Sequence, residues 1–248
     1  MVHITSFFKE NHKVAIGFSG GVDSSYLLHA GLSSGADMMA YYVKSDFQPS
    51  FELDDAKRLA ELIGAKLQIL TVDVLNFEQV ISNPPDRCYH CKNVIFSTII
   101  KQANTDGYTL VIDGTNASDD ASDRPGMRAL DQLGVRSPLR EYGITKDDIR
   151  LWSKAANLFT WNKPAYACLA TRIPTGDVIT KSLLYRVENS EDGLFSLGFS
   201  DFRVRVYHDA ARIQFPLNQM PMALEKREQI IKKIKPYFDI ILLDLIGR

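Results

Sequence analysis

Short apolar runs alternate with amphipathic segments along the first part of the chain. An apolar run of about five residues is typical of a strand in a parallel sheet, which helices cover on both faces. Such runs predict strands at Val14–Phe18, Met38–Val43, Leu67–Val72 and Leu110–Asp113. The segments between them predict helices at Ser24–Leu32, Asp54–Ile63 and Lys92–Ala103. This alternation predicts an α/β fold with a doubly wound parallel sheet, which binds ligands at the carboxyl ends of its strands.

The pattern changes near residue 170, where we place the boundary between a domain of residues 1–170 and a smaller domain of residues 171–248. Before the boundary, Thr145 and the acidic residues that follow it predict an N-capped helix over Thr145–Asn157. Beyond it, a helix, two strands, a basic helix and a last strand are predicted at Ser182–Leu197, Phe202–Tyr207, Ala211–Phe215, Ala223–Tyr237 and Ile240–Leu245. This order predicts a small α+β domain with a mixed or antiparallel sheet.

Composition and charge narrow the class of protein. The 248 residues are 45% hydrophobic and 24% charged, as in ordinary soluble globular proteins. With 29 basic and 30 acidic residues the net charge is −1, so no overall field attracts nucleic acid. Met1–Lys13 predicts a short amphipathic helix and not a secretory segment, and no apolar stretch is long enough to span a membrane. With an odd count of three cysteines, these features predict a cytoplasmic protein without a membrane partner.

A glycine-rich turn joins the first predicted strand to a helix within Val14–Ser25. Adjacent glycines let backbone N–H groups approach a ligand, and the positive end of the helix dipole points at the same place. Serine hydroxyls add donors for phosphate oxygens. A carboxylate among phosphates repels them unless a divalent cation lies between, so Asp23 predicts Mg²⁺. The predicted phosphate-binding residues are Ser19, Gly20, Gly21, Val22, Asp23, Ser24 and Ser25.

This turn lacks the lysine of the G-x-x-x-x-G-K-[ST] phosphate loop and the spacing of the dinucleotide fingerprint. It resembles the S-G-G-x-D-S signature of the PP-loop ATP pyrophosphatases, which hold the β,γ-pyrophosphate of ATP and cleave ATP between its α and β phosphorus atoms. An ordinary strand-to-helix turn is the alternative interpretation. The resemblance predicts ATP as the nucleotide.

Cys88 and Cys91 lie three residues apart where Asn83–Pro85 leads into a predicted helix, so both face one side of it. The positive end of a helix favours thiolates. Four interpretations remain open: a structural zinc site with His90, a thioredoxin-like redox pair, two inert packed cysteines, or a [4Fe–4S] cluster completed by Cys168. A cluster with three protein ligands would leave one iron open to bind sulfide.

Cys168 has a basic neighbourhood in the sequence. A lone cysteine is usually a small buried hydrophobe. Lys163 and Arg172 flank Cys168 at short range, however, and nearby cations stabilise a thiolate. This favours a chemical role over packing.

The order of the motifs along almost the whole chain resembles the LarE family of ATP-dependent sulfur transferases, which act in nickel-pincer nucleotide cofactor biosynthesis. Each segment is a weak signal alone, but their order is specific. The matching segments are Ser19–Ser25, Arg87–Lys92, Asp113–Asn116, Asp119–Asp120, Arg124–Gly126, Ser137–Leu139, Lys163–Pro164, Cys168–Arg172, Arg203–Arg205 and Ala211–Ile213.

The resemblance implies that ATP activates a carboxylate of pyridinium-3,5-biscarboxylic acid mononucleotide. AMP then replaces hydroxide as the leaving group, pyrophosphate departs into the Ser19–Ser25 turn, and a sulfur nucleophile leaves a thiocarboxylate. The substrate is thus a small molecule, and the compound that donates sulfide stays unidentified. The family also implies a homo-oligomer, with a hexamer as the suggested form.

The family implies two sources of sulfur. Members with only the cysteine equivalent to Cys168 give up its sulfur, become dehydroalanine and react once. Members with three cysteines are thought to hold a [4Fe–4S] cluster that carries sulfide and turns over. Cys88, Cys91 and Cys168 predict the cluster class for this chain, with Cys168 as the catalytic residue.

Two groups of residues are predicted to bind the nucleotide and the substrate. Thr115 and Asn116 follow a predicted strand and are expected to position the adenylate or the substrate, and Val43 and Lys44 are placed to contact adenine. Strand alternation sends two arginines to one face, where guanidinium groups bind phosphate with paired donors. With the resemblance, we assign to the substrate Thr171, Arg172, Glu191, Arg203 and Arg205.

The acidic segment with Asp119, Asp120 and Asp123 is interpreted as a solvated loop and not as a metal site.

Three other functions remain open. A tRNA thiolase of the PP-loop family would need a basic surface or an RNA-binding module, and the net charge of −1 argues against it. An amide-forming synthetase acting on NAD or GMP precursors would leave three cysteines without a role. A non-enzymatic nucleotide sensor would release no pyrophosphate.

Overall fold

Four parallel strands form the sheet of the first structural unit, which combines Met1–Val74 with Asp86–Lys163. The structure is a computed structural model that describes residues 2–119 and 125–248. The strands β1 (Lys13–Gly17), β2 (Asp37–Lys44), β3 (Lys66–Thr71) and β4 (Val111–Ile112) pair in the order β3-β2-β1-β4. The chain runs from β1 through β2 to β3 and then returns to the other side of β1. This reversal is the topological switch point of a doubly wound sheet, which confirms the predicted fold class.

Helices cover both faces of this sheet, because successive residues of a strand point to opposite sides. Val14 and Ile16 of β1 pack with Leu27 and Leu28 in one core, whereas Ala15 packs with Phe96 in the other. In chain order the described helices of the first unit are α1 (Val2–Glu10), α2 (Val22–Ser33), α3 (Ser50–Leu62), α5 (Arg87–Thr105), α6 (Pro125–Gln132), α7 (Pro138–Glu141) and α8 (Lys146–Ala155), and those of the second unit are α4 (Glu78–Ile81), α9 (Lys181–Ser196), α10 (Met220–Glu225) and α11 (Arg227–Ile234).

The second structural unit combines Leu75–Pro85 with Pro164–Arg248. Its strands β5 (Arg203–Tyr207), β6 (Ala210–Gln214) and β7 (Ile240–Leu243) pair in the order β5-β6-β7. The β5 and β6 strands are antiparallel and β6 and β7 are parallel, so the sheet is mixed.

Backbone hydrogen bonds join the segment Leu75–Pro85 to the rest of the second unit, Pro164–Arg248. The Asn83 carbonyl accepts the Gly176 N–H at 2.9 Å, and the Ile81 carbonyl accepts the Ile179 N–H at 2.8 Å. Asn83 is buried and its Nδ2 donates to the Pro174 carbonyl at 2.7 Å. The chain therefore passes to the second unit at Leu75 and again at Pro164, and the functional division near residue 170 stays a prediction.

Most predicted elements are present with ends that differ by a few residues. Thr145 caps α8 as predicted, with its side chain accepting the Asp148 N–H. The single basic helix predicted over Ala223–Tyr237 is wrong, because the chain forms α10 and α11 instead. Lys226 separates them with a backbone conformation outside the helical range, and its Nζ donates to the Leu197 carbonyl at 2.6 Å.

Among the described residues, no helix combines the length and the apolar character needed to cross a membrane.

Candidate active site

The turn Ser19–Ser25 and the segment Asp113–Asn116 follow two neighbouring strands, β1 and β4. Both therefore lie at the carboxyl edge of the sheet, on either side of its switch point. Gly114 makes this approach close, since a Cβ on it would lie 2.9 Å from the backbone nitrogen of Ser24. The strand order thus brings together two segments that the sequence predicted to bind nucleotide.

The turn itself is built to present donors. Gly20 has a φ of +71°, a left-handed conformation that favours glycine, and it packs against Ala56 of α3. Ser19 and Ser24 join their hydroxyls at 3.1 Å. The helix α2 begins after Gly21 without a side-chain cap, so its first N–H groups and the positive end of its dipole are available to an anion.

Asp23 stands in the first turn of α2 beside these donors. Its Oδ2 lies 2.6 Å from the Nζ of Lys146. Its Oδ1 is buried and has no hydrogen-bond partner among the residues that the structure describes. Burial raises the pKa of the Asp23 carboxyl, although Lys146 opposes this shift. Asp23 therefore has one oxygen bound to Lys146 and a second oxygen without a hydrogen-bond partner among the described residues, beside backbone N–H groups that can bind an anion. This arrangement fits the predicted role of a magnesium ligand.

Ser25 differs from its neighbours in the turn. Its side chain is fully buried, and its Oγ has no hydrogen-bond partner in the described part of the chain. A contact of this hydroxyl with phosphate stays a prediction.

A cavity of about 150 Å³ opens beside the turn, between β1, β2 and α5. Ser19 and Val43 line it, together with the aromatic and polar side chains of Tyr41, Phe96 and Gln48. Gly17 keeps it open, because a Cβ there would lie 2.8 Å from the ring of Phe96. A planar base could enter this apolar cavity while its phosphates meet the turn.

Lys44 is oriented differently from Val43. Its Nζ donates to the Gln48 carbonyl at 2.7 Å, which ties the end of β2 to the loop before α3. This bond gives Lys44 a role in shaping the cavity wall, and a contact with adenine stays a prediction.

The buried Asp113 organises the segment after β4. Its carboxylate accepts the Thr115 hydroxyl at 2.5 Å and the Ser137 hydroxyl at 2.6 Å. Lys92 lies at 4.0 Å on the side of α5. Asn116 is also buried, and its Oδ1 accepts the Ser118 N–H at 2.8 Å. Thr115 and Asn116 therefore hold the shape of this loop.

The acidic segment is described only in part. Asp119 is half-buried, and its Oδ2 accepts the Asn116 N–H at 3.1 Å. Asp120 and Asp123 lie outside the described residues.

Cys88 and Cys91 lie in the first turns of α5, as predicted. Cys88 is exposed and Cys91 is half-buried. The guanidinium of Arg87 lies 3.9 Å from the Cys88 sulfur, and Asp86 pairs with His90 at 3.5 Å. Two thiols on one helical turn have the chemistry and spacing of two ligands to iron.

The residues that the structure describes do not assemble a complete metal site. No group of three or more His, Cys, Asp or Glu side chains is arranged to hold a metal ion within residues 2–119 and 125–248. A three-cysteine cluster site therefore stays a prediction.

Cys168 is half-buried in the second unit, where it immediately precedes a short 3₁₀ helix, Leu169–Arg172. Hydrogen bonds hold the loop around it. Arg172 Nη1 donates to the Ala167 carbonyl at 2.9 Å, and the Thr171 hydroxyl donates to the Cys168 carbonyl at 2.8 Å. The backbone that carries this thiol is thus fixed on both sides.

Arg172 and Glu191 form a buried ion pair behind this loop. Their Nε and Oε1 atoms lie 2.8 Å apart, and both side chains are almost fully excluded from solvent. The Val204 N–H and the Tyr166 hydroxyl also donate to the Glu191 carboxylate. Glu191 was predicted to face the substrate, but its oxygens are occupied by these donors. In the structure it joins α9, β5 and the cysteine loop.

Arg203 and Arg205 lie in β5, as predicted, and both are close enough to Arg172 for its charge to act on them. Arg203 is buried, and its guanidinium donates to the Ala165 and Phe202 carbonyls, both at 2.6 Å. Burial, reinforced by repulsion from Arg172, lowers the pKa of Arg203 to about 10. Arg203 thus holds the segment before Cys168.

A second cavity, of about 430 Å³, lies in the second unit. Thr171, Arg172 and Arg205 line it, with Arg212 and His208 as further polar groups. The concentration of guanidinium groups fits an anion such as a phosphate. Three of the five residues assigned to the substrate therefore line one cavity, and two of them, Arg172 and Arg205, also donate to carbonyls of the loop around Cys168. Glu191 and Arg203 do not line the cavity and only support the loop.

Some residues of these sites were missed in the sequence. Lys146 and Tyr166 meet their partners across long stretches of chain, and periodicity carries no signal for such contacts. Arg212 could have been found, because it alternates with residues of a predicted strand just as Arg203 and Arg205 do.

The parallel sheet, its switch point and the uncapped S-G-G-V-D-S-S turn define a PP-loop α/β protein. No family model matches the chain. It is similar to the pyridinium-3,5-bisthiocarboxylic acid mononucleotide synthase of Lactiplantibacillus plantarum, with 32% identity over 247 residues, 98% of this chain and 90% of the relative. The chain belongs to the family of this synthase, the LarE family.

The chain is also similar to two further proteins. An uncharacterized protein of Synechocystis is 36% identical over 219 residues, 88% of this chain and 82% of the relative. The tRNA-specific 2-thiouridylase MnmA of Thermotoga petrophila is 24% identical over 142 residues, 48% of this chain and 40% of the relative.

Proposed function

We propose that the protein is an ATP-dependent sulfur transferase that converts a carboxylate of pyridinium-3,5-biscarboxylic acid mononucleotide into a thiocarboxylate, for nickel-pincer nucleotide biosynthesis. The relative from L. plantarum is named for the synthesis of the corresponding bisthiocarboxylic acid mononucleotide. The observation that carries the proposal is the uncapped start of α2 with Asp23 beside it, next to the cavity lined by Val43.

In the first step a carboxylate oxygen of the substrate attacks the α-phosphorus of ATP. The new bond joins this oxygen to phosphorus, and the bond from the α-phosphorus to the bridging oxygen breaks. Pyrophosphate leaves with the electron pair, and the substrate becomes an acyl adenylate. This exchange replaces hydroxide, a poor leaving group, by AMP.

Groups of the protein support this step by binding the negatively charged phosphates of ATP and of the substrate. The N–H groups at the start of α2 and the hydroxyls of Ser19 and Ser24 would receive the pyrophosphate oxygens. Asp23 would hold Mg²⁺, which neutralises charge on the phosphates. In the second unit, Arg205 and Arg212 would bind the single phosphate of the mononucleotide.

In the second step sulfur attacks the activated acyl carbon. A carbon–sulfur bond forms, the bond to the phosphate oxygen breaks, and AMP leaves with the electron pair. We assign Cys88, Cys91 and Cys168 to a [4Fe–4S] cluster, which when bound supplies an exchangeable sulfide. Arg172 and Arg203 fix the backbone on which Cys168 stands.

Sacrifice of Cys168 is the alternative source of sulfur. Its sulfur would displace AMP to form a thioester, and loss of the Cα proton would then break the Cβ–S bond. The products would be a thiocarboxylate and dehydroalanine, so the chain would react once.

Anaerobic reconstitution distinguishes these sources. We expect iron-dependent absorption in the wild type, its loss in Cys88→Ala, and several thiocarboxylates formed per chain. Absence of iron together with a mass loss of one H₂S per chain would favour the sacrificial route. Absence of pyrophosphate release on mixing ATP, Mg²⁺ and the dicarboxylate would contradict the proposed function itself.

A tRNA thiolase is a second candidate, because the Thermotoga petrophila relative bears that activity in its name. That similarity covers less than half of either chain, and the net charge of −1 provides no overall attraction for RNA. Filter binding of tRNA at low and moderate salt tests it, and retention at moderate salt would favour the thiolase.

We further propose that the second unit contributes to a homo-oligomer, with a hexamer as the expected form. The strand β7 lies at the edge of its sheet, and its residues Ile240 and Leu242 are exposed. Exposed apolar side chains on a sheet edge favour self-association. Analytical ultracentrifugation of wild type and Ile240→Lys tests this, with dissociation expected for the variant.

A further inference from the structure

Lys146 is the first residue of α8, and its ammonium reaches the glycine-rich turn. Its Nζ lies 2.6 Å from Oδ2 of Asp23. The capping box of Thr145 and Asp148 fixes the start of the helix, and the Lys146 N–H donates to the Ser118 hydroxyl at 3.0 Å. The backbone of Lys146 is therefore held in place, while its long side chain is 30% exposed and can reorient.

The turn Ser19–Ser25 contains no lysine of its own. In the G-x-x-x-x-G-K-[ST] loop, a lysine at the start of the helix reaches the β- and γ-phosphates. Here the first turn of α2 carries Asp23. Lys146 of α8, which lies 123 positions further along the chain, brings an ammonium to the same end of α2.

The charges around Asp23 change when nucleotide binds. In the structure Lys146 and Arg150 favour the ionised carboxylate, whereas burial and Asp119 oppose it. A magnesium ion at Asp23 would take over the neutralising role of the ammonium. Two cations at one carboxylate repel each other, and the anionic phosphates at the start of α2 then offer Lys146 a second partner.

The ion pair alone does not account for Lys146. Burial of Asp23 costs solvation that Lys146 offsets only in part, so the net contribution of this ion pair to folding stability is expected to be small.

We propose that Lys146 is a further catalytic residue. It neutralises Asp23 in the free enzyme, and when Mg²⁺ and nucleotide bind, its side chain turns so that the ammonium binds the departing pyrophosphate. This inference rests on the proposed function of the same site. Lys146 would then compete with the metal for Asp23 in the free protein and cooperate with it once phosphate is present.

The two roles give opposite effects in Lys146→Met. We expect Mn²⁺, a spectroscopic substitute for Mg²⁺, to bind the free variant severalfold more tightly, as measured by electron paramagnetic resonance. We expect pyrophosphate with Mg²⁺ to bind at least about tenfold more weakly by calorimetry, since one charge-assisted hydrogen bond is lost. Lys146→Arg, which keeps the cation, should stay close to the wild type.

Lys154→Met is the matched control, because Lys154 is an exposed residue of the same helix that lies 4.7 Å over the Trp161 ring. It should change neither affinity. Wild-type affinity for pyrophosphate in Lys146→Met would overturn the proposal, and so would a parallel loss of both affinities, which indicates a structural role.

Asp23→Asn provides an independent measurement that does not require Lys146→Met to fold. The change frees the ammonium, so pyrophosphate without metal should bind this variant more tightly than it binds the wild type. Equal or weaker binding would contradict the proposal. These binding tests need no sulfur transfer. If the wild type makes no thiocarboxylate but the variants show these changes in affinity, the proposed function is refuted and the role of Lys146 in binding pyrophosphate stands.

Discussion

The Nε of Arg172 lies 2.8 Å from Oε1 of Glu191, and both side chains are buried. This pair connects the loop of Cys168 to α9, while Val204 of β5 donates its N–H to the same carboxylate. The buried Arg172–Glu191 pair thus helps to hold the backbone that carries the Cys168 thiol. The relationship leads to predictions that separate support of the loop from binding of a ligand.

Glu191→Ala should destabilise the protein by about 3 to 5 kcal/mol, because it leaves the Arg172 guanidinium buried without its counter-ion. Urea unfolding measures the change. The matched control is Asp192→Asn at the next, exposed position, which should change stability by less than about 0.5 kcal/mol. Equal stability of the two variants would mean that the buried pair is not important for folding.

Arg203 and Arg205 should give different defects although they belong to one strand. Arg203→Gln removes the donor to the Ala165 carbonyl, so we expect lower stability and faster alkylation of Cys168. Arg205→Gln removes donors to the Gln214 side chain at 2.6 Å and to the Thr171 carbonyl at 2.7 Å, so it should lower stability as well. Unlike Arg203→Gln, it should also raise KM for the mononucleotide at least about tenfold, since a phosphate contact is lost. Kinetics and thiol alkylation check both effects. If Arg203→Gln affects only KM, Arg203 binds substrate.

Gly114→Ala should weaken nucleotide binding by about 1 to 3 kcal/mol, because its Cβ would lie 2.9 Å from the backbone nitrogen of Ser24. Backbone at this place can yield only if the start of α2 shifts. Gly126→Ala is the control, since its Cβ meets the flexible side chain of Lys92. Calorimetry with ATP should find the control unchanged, and tight binding by Gly114→Ala would show that the turn tolerates displacement.

Tyr26→Phe should make the protein less sensitive to alkaline pH. Burial raises the pKa of the Tyr26 hydroxyl to about 12, above the ordinary value of 10.0. The neutral hydroxyl therefore stabilises the fold fully below pH 10, and this contribution is lost as pH rises towards 12. The wild type should lose about 2 to 3 kcal/mol more than Tyr26→Phe across this range.

Unfolding at pH 8, 10 and 11.5 checks the effect of Tyr26→Phe, with Tyr185→Phe at an exposed position as control. Parallel curves for the wild type and Tyr26→Phe would contradict the expected contribution.

The sequence predicted the parts of the fold that depend on local pattern. Apolar runs located the strands of the parallel sheet, and Thr145 located the start of α8. The break at Lys226 was missed, because the residues on both sides of it keep one basic helical pattern. Local pattern does not show that the Lys226 side chain binds the Leu197 carbonyl, which lies 29 positions away in the chain.

The candidate sites were predictable to the extent that their chemistry is contained in short motifs. The turn Ser19–Ser25 carries its meaning in its residue order, so its position could be predicted without tertiary contacts. The pair of Lys146 with Asp23 could not, because the two residues are 123 positions apart. Glu191 was expected near substrate, yet only the packing of α9 shows that Arg172 and Val204 occupy its oxygens.

The hydrogen bonds of Asn83 have a practical consequence for dissecting the molecule. Because Leu75–Pro85 is stitched to Pro174 and Gly176, the second unit cannot be excised as a simple C-terminal module. A fragment that ends at Lys163 would keep Leu75–Pro85 but lack the residues of Pro164–Arg248 that this segment packs with and binds. Transplanting this unit between relatives would therefore require two exchanged pieces, an internal insert and a tail, chosen together.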